Sequence, residues 1–171
     1  GLMLYYQPIY DLKTGQVSKL EALIRWQHPV HGFLVPDRFI AIAEANGLIA
    51  ELDNWVLRKA CEDLGELSRQ GCIDLKIAVN CSPLSLARVE LADEIESALR
   101  AAGVEPHRLE LEVTENALMG NIANTLMLLR QIRALGVWLS IDDFGTGYSS
   151  LAYLKRLPLN TLKIDRSFIQ D

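Results

Sequence analysis

Cysteine is scarce in this sequence. Cys61, Cys72 and Cys81 are the only three in 171 residues, and they lie nine or more positions apart. No Cys-x-x-Cys occurs, so neither a zinc site nor a disulfide framework is indicated, and a reducing compartment, the cytoplasm, fits best. Basic charge is also short. The 17 Lys and Arg stand against 22 Asp and Glu, for a net charge of −5. That balance argues against a polynucleotide held on a broad basic face, but it leaves room for a small anion bound through metal. No apolar run approaches the ~18 residues of a membrane span, so this segment is expected to make no direct membrane contact. The start, Gly1-Leu2-Met3-Leu4, lacks the basic residues of a signal peptide and reads as a cut from a longer chain. Linkers, repeats and low-complexity tracts are absent as well.

What is present is about one domain's worth of chain, half of it apolar, enough for a sizeable core. Leu2 to Ile9 and Val17 to Gln27 read as strands joined by the turn Asp11-Leu12-Lys13-Thr14-Gly15, hence an antiparallel hairpin. A helix is expected from Pro36 to Asn46-Gly47, and a longer one over Glu51–Gln70 with Gly71 as its stop. Leu75 to Asn80 is a strand, and Ser82-Pro83 opens a helix running to about Ala102. A strand at Leu109 to Val113, a helix at Asn121 to Leu135 and a strand at Val137 to Asp142 follow. A short helix, Tyr148 to Arg156, and a sixth strand, Thr161 to Asp165, end the series.

Strands alternating with helices imply a parallel sheet. Strand parity says more. One set of positions is apolar, for example Ile77 and Val79, Leu109, Leu111 and Val113, and Leu139 and Ile141. The other carries Glu21 and Arg25, Asn80, Glu110 and Glu112, Ser140 and Asp142, and Lys163 and Asp165. A doubly wound sheet is covered on both faces and needs both parities apolar. Here one face is ready for helices and the other for water or a lumen. Closing such a sheet into a barrel is the natural solution, an open sheet with one wet face being the alternative.

Glu21, Asn80, Glu112 and Asp142 share the polar parity and are read as lying late in their strands, with Asp143 directly after. Adjacent side chains on a strand point to opposite faces, so Asp142 and Asp143 can share a pocket only where the strand breaks, as Gly145 and Gly147 would permit. Uncompensated, a cluster of this kind is strongly unfavourable. Two divalent ions would offset it, with Asp142 bridging, and paired ions suit in-line displacement at phosphorus. Lys163 would add positive charge beside the reaction, and Arg25 would serve as a phosphate clamp. Each residue also has a plainer reading. Glu21 and Lys163 could be solvated strand residues, Asn80 a helix cap beside Ser82-Pro83, and Glu115 a turn acid. His28 and His31 form a loop pair without further ligands, and His107 has no role.

Taken together, these residues resemble the EAL domains, bacterial cyclic di-GMP phosphodiesterases. Lys19-Leu20-Glu21-Ala22-Leu23-Ile24-Arg25-Trp26 resembles the family's signature. Gln7-Pro8-Ile9, Val79-Asn80-Cys81-Ser82, Glu112-Val113-Thr114-Glu115, Asp142-Asp143-Phe144-Gly145-Thr146-Gly147 and Leu162-Lys163-Ile164-Asp165 look like its other motifs, in the family's order. The resemblance implies a TIM-like (β/α) barrel with one antiparallel strand. It implies hydrolysis of cyclic di-GMP to linear pGpG with two Mg²⁺ or Mn²⁺ ions. The metal ligands would be Glu21, Asn80, Glu112, Asp142 and Asp143. Lys163 would hold the attacking water, with Asp142 and Glu21 also counted catalytic. Gln7, Arg25 and Asp165 would contact the nucleotide, and Glu115 would brace the loop after Asp142.

Six strands are recognisable where a closed barrel needs eight and about 250 residues. Residues 1–171 are therefore expected to form an EAL-type barrel domain lacking its last strand–helix units, including a later strand-end Glu and a Gln-Gly motif. Bare sheet edges invite a homodimer or other self-association. Other domains of the parent chain are expected, with any membrane tether falling to them. The activity expected is that of the parent, with low or no turnover by the fragment. The alternatives are a non-catalytic cyclic di-GMP receptor and an unrelated metal-dependent barrel hydrolase.

Overall fold

The computed structural model describes residues 1–144, 155–165 and 167. Strands β1 (Leu2–Tyr10) and β2 (Val17–His28) form the expected hairpin. Asp11 makes its turn, accepting hydrogen bonds from the Lys13 and Thr14 amides at 2.7 and 3.0 Å. A seventh strand that the sequence did not reveal, β3 (Gly32–Leu34), folds back antiparallel on the end of β2. At three residues it is too short to show an alternation. A 3-10 turn at Pro36–Arg38 leads into α1 (Ile40–Ala45) and then α2 (Ile49–Arg69).

Next come β4 (Lys76–Cys81), α3 (Pro83–Leu86) and α4 (Leu91–Ala102). The single helix expected from Pro83 to Ala102 is thus two. Leu86 and Leu91 are both buried, at 2% and 5% exposure. Five residues apart, they would point about 140° from each other on one continuous helix. Breaking it lets both turn inward. Ser82 is the expected cap, its hydroxyl accepting from the Ser85 amide at 3.2 Å. The chain continues through β5 (Leu109–Thr114), α5 (Ile122–Leu135), β6 (Trp138–Phe144) and β7 (Thr161–Ile164). The helix expected at Tyr148–Arg156 falls mostly outside the described residues.

One sheet runs in the order β1-β2-β4-β5-β6-β7, with β3 attached to β2. The β1–β2 and β2–β3 pairs are antiparallel and the rest parallel. This is the arc of a TIM-like barrel with one antiparallel strand at its start. The apolar parity faces the helices: Ile77, Leu109, Leu139 and Ile141 are fully buried against Leu64, Ile95, Leu129 and Ile132. Each such side chain contributes about 1.5–3 kcal/mol, so this face carries the stability. Leu162 and Ile164 keep the parity but stay 49% and 63% exposed.

The opposite face is polar. At its lower end the Lys19 ammonium pairs with Glu110 at 2.6 Å, with side-chain exposures of 13% and 1%. Lys76 lies over the Trp138 ring, and burial lowers its pKa. Behind the sheet, buried Arg108 holds the loop between α2 and β4. It donates to the Leu75 and Cys72 carbonyls at 2.9 and 2.7 Å and to the Ser68 hydroxyl.

Helices α2 and α4 cross at Gly65. A β-carbon there would lie 2.8 Å from the backbone oxygen of Ala102. Gly65→Ala gains about 1 kcal/mol of helix propensity but forces the helices apart, at about 1–3 kcal/mol. A net destabilisation is expected in urea melts, opposite in sign to the same change at an exposed helical position.

Candidate active site

Four strands of the polar face meet at one spot. Glu21 stands on β2, Asn80 on β4, Glu112 on β5 and Asp142 on β6, and Lys163 reaches them from β7. Register explains the convergence. Asn80 pairs with Glu112, and Glu112 with Ser140, one step below Asp142 on the same face. Glu21 is not late in its strand, as had been expected. It is opposite Ala78, well before the end of β2, because β2 runs on to pair with β3.

The Lys163 ammonium lies 2.8 Å from Glu112 Oε2, 3.1 Å from Glu21 Oε2 and 3.6 Å from Asp142 Oδ1. Asn80 Nδ2 donates to Glu21 Oε1 at 3.3 Å. Since Ser82 caps α3, Asn80 is free for this contact, and the helix-cap reading of it fails. Glu112 is 1% exposed and its Oε1 has no hydrogen-bond partner among the described residues.

Asp142 and Asp143 are brought together by a bulge. Ile141 pairs with Leu162 and Phe144 with Ile164, so two residues of β6 stand across from Lys163 alone. The bend falls on Asp143 itself, at φ 55°, in the left-handed region that aspartate tolerates better than most residues. Its amide donates to Asp142 Oδ1 at 2.9 Å. Gly145 and Gly147, expected to supply this break, lie outside the described residues.

The electrostatics follow from one ammonium facing three carboxylates. Burial, then repulsion from Glu21 and Asp142, outweighs the Lys163 contact and pushes Glu112 up to about 7. Burial opposes the charge on Lys163, but its bond to Glu112 and the carboxylates around it win, and its pKa rises. Asp143 is raised by desolvation and by its neighbours Asp142 and Asp165.

The donor set is all oxygen: carboxylates, one amide, and a buried carboxylate oxygen without a partner among the described residues. It suits a hard divalent cation. Among the described residues no three His, Cys, Asp or Glu side chains already stand at the spacing of a metal site. The Lys163 ammonium lies between the carboxylates.

Other sequence-predicted residues are placed as follows. Gln7 is directly across β1–β2 from Glu21 and is exposed. Arg25 lies four residues beyond Glu21 on the same face, bonded to the Ile24 carbonyl at 2.7 Å, and does not reach the acid cluster. Asp165 follows β7 and accepts from the Ser167 amide at 2.8 Å. Glu115 is 2% exposed after β5; the loop it was expected to brace lies outside the described residues. His28 Nδ1 accepts from the amides of Val30 and His31, which fits a loop role. A separate, mostly apolar groove lined by Trp26, Phe39, Leu52 and Trp55 contains none of the acid cluster.

The family model described as EAL domain matches residues 1–171. The chain belongs to the EAL domain family. It is 61% identical over 170 residues to the cyclic di-GMP phosphodiesterase NbdA of Pseudomonas aeruginosa, covering 99% of this chain and 22% of that protein. It is 47% identical over 170 residues to the bifunctional diguanylate cyclase/cyclic di-GMP phosphodiesterase MucR of the same organism, covering 99% and 25%. The solved structure of the PaMucR phosphodiesterase in complex with c-di-GMP superposes with a TM-score of 0.94 at 48% identity, covering 98% of this chain and 68% of that one. The chain thus spans about a quarter of the length of these curated relatives.

Sequence reasoning missed two parts of this EAL domain's polar face. The Lys19–Glu110 pair was legible in principle, since Lys19 precedes Glu21 by two positions and shares its parity. The aromatic pair Tyr5 and Phe33, with ring centroids 5.6 Å apart, depended on β3.

Glu112 generates a pH prediction. Its folded pKa, about 7, lies above the ordinary 4.5. The folded state therefore binds the extra proton, and stability falls as pH rises from about 4.5 to about 7, by at most about 3 kcal/mol. Urea melts in chelator should show this loss, and Glu112→Gln should remove it.

Proposed function

We propose that this EAL domain hydrolyses one phosphodiester bond of cyclic di-GMP, giving linear pGpG, with two divalent ions, Mg²⁺ or Mn²⁺. The observation that carries the reading is the convergence of Glu21, Glu112 and Asp142 on Lys163, in a chain 61% identical to a protein named a cyclic di-GMP phosphodiesterase. EAL phosphodiesterases are metal-dependent as a class. Glu21, Asn80, Glu112 and Asp142 would hold one ion, and Asp142 with Asp143 the other. When bound, such ions lower the pKa of water and stabilise charge at the leaving oxygen.

The chain's own residues do the rest. Lys163 orients the water and offsets negative charge that grows at phosphorus. Gln7 and Arg25, flanking Glu21 on the same face, hold the dinucleotide so that its phosphate lies over the acid cluster. Asp165, which follows Lys163 by two residues, contacts the nucleotide in this reading. Glu21 also fixes Asn80 through their hydrogen bond.

The direct test incubates the full-length protein with cyclic di-GMP and Mg²⁺ or Mn²⁺ and follows the linear product by chromatography. Product that disappears with chelator is expected. Binding without product at any metal concentration would replace the enzyme with a receptor. Asp142→Asn should abolish turnover, because a bridging charge is lost. Lys163→Ala should lower kcat far more than it raises the Kd for cyclic di-GMP; an equal loss in both would move Lys163 to a binding role.

A further inference from the structure

The polar face carries one feature that hydrolysis alone does not use. Tyr5 on β1 and Phe33 on β3 are large aromatics left 52% and 47% exposed. Register places both on the face of Glu21. Tyr5 pairs with Leu23, and Phe33 with Gln27. Their rings meet above β2 with centroids 5.6 Å apart and planes tilted by 46°. The Arg25 guanidinium lies 5.9 Å from the centre of the Tyr5 ring. Two exposed aromatics and a cation therefore share one patch, two strand positions, or about 7 Å, from the Gln7–Glu21 pair.

An aromatic face beside a cation suits a flat, electron-rich ring, and nucleobases bind in this way. The spacing fixes the mode. A base inserted between the two rings needs about 7 Å, two contacts of ~3.5 Å; 5.6 Å is too little. The base must stack on the outside of the pair, with one ring beneath it and the other against its edge.

The geometry points to Tyr5 and Phe33 as a specificity element: a stacking platform for one guanine of the cyclic dinucleotide, flanked by Arg25. This rests on the proposed substrate. The two aromatics select a base-bearing phosphodiester and take no part in bond cleavage. They therefore act on binding. A packing role alone, worth about 0.5–1.5 kcal/mol for such a pair, would change stability and leave ligand affinity as it was.

The test compares wild type with Tyr5→Ala, Phe33→Ala, Tyr5→Leu and Tyr5→Phe in the full-length protein, measuring kcat, KM and the Kd for cyclic di-GMP. Stacking is worth about 1–3 kcal/mol per base, or roughly 5- to 100-fold in affinity. The alanine variants should raise KM and Kd by that factor with kcat within about threefold, and Tyr5→Phe should restore both. Tyr5→Leu keeps apolar cover should Tyr5→Ala fail to fold, and it should show the same loss of affinity. Inhibition by GMP should weaken in the variants, while inhibition by base-free ribose 5-phosphate stays unchanged. Folded alanine and leucine variants with wild-type KM and Kd would overturn the platform and leave the proposed function standing. A wild-type protein that neither binds nor hydrolyses cyclic di-GMP would overturn both.

Discussion

The contact on which the polar face depends is the Lys163 ammonium among three carboxylates contributed by three other strands. Without it, Glu21, Glu112 and Asp142 would crowd together with their repulsion uncompensated. It does not make the fold stable. Removing a lysine and a buried glutamate from water consumes most of what their attraction returns. It sets where the charge is, and it keeps a shortage of positive charge at the centre of the arc. Burial raises the Glu112 pKa, the neighbouring carboxylates add to the rise, and the same shortage makes the donor set suited to cations.

The two faces of the sheet divide the work. The helix-facing side is filled by side chains of ordinary core chemistry and would serve any barrel. The lumen side is layered. Lys19 and Glu110 pair near the start of the strands, close to Lys76 and Trp138, so that two ammonium groups there face one carboxylate. The acid cluster lies above, toward the strand ends, where three carboxylates face one ammonium. Excess carboxylate above and excess ammonium below favour a cation at the upper rim, the end at which barrels place their chemistry.

Much of this was legible from parity. Alternation along short strands identified the buried face and placed Glu21, Asn80, Glu112, Asp142 and Lys163 on the other, because a period of two leaves little freedom in a half-buried strand. The features missed are those without a period. β3 is too short to alternate. The break between α3 and α4 follows from where Leu86 and Leu91 must point, which is a property of the packed core. Arg108 gave no local signal, since its partners are carbonyls and a hydroxyl more than thirty residues away. The bend at Asp143 was sought in the glycines that follow, but the aspartate takes the left-handed conformation itself.

That bend has a consequence for how such a site can be lost. The extra residue in β6 puts both Asp142 and Asp143 across from Lys163. Deleting one of the two would leave a single residue across from Lys163 and restore even pairing with β7. The scaffold would keep its sheet pairing while losing half of its acidic pair, so one codon decides whether this rim carries two adjacent carboxylates or one.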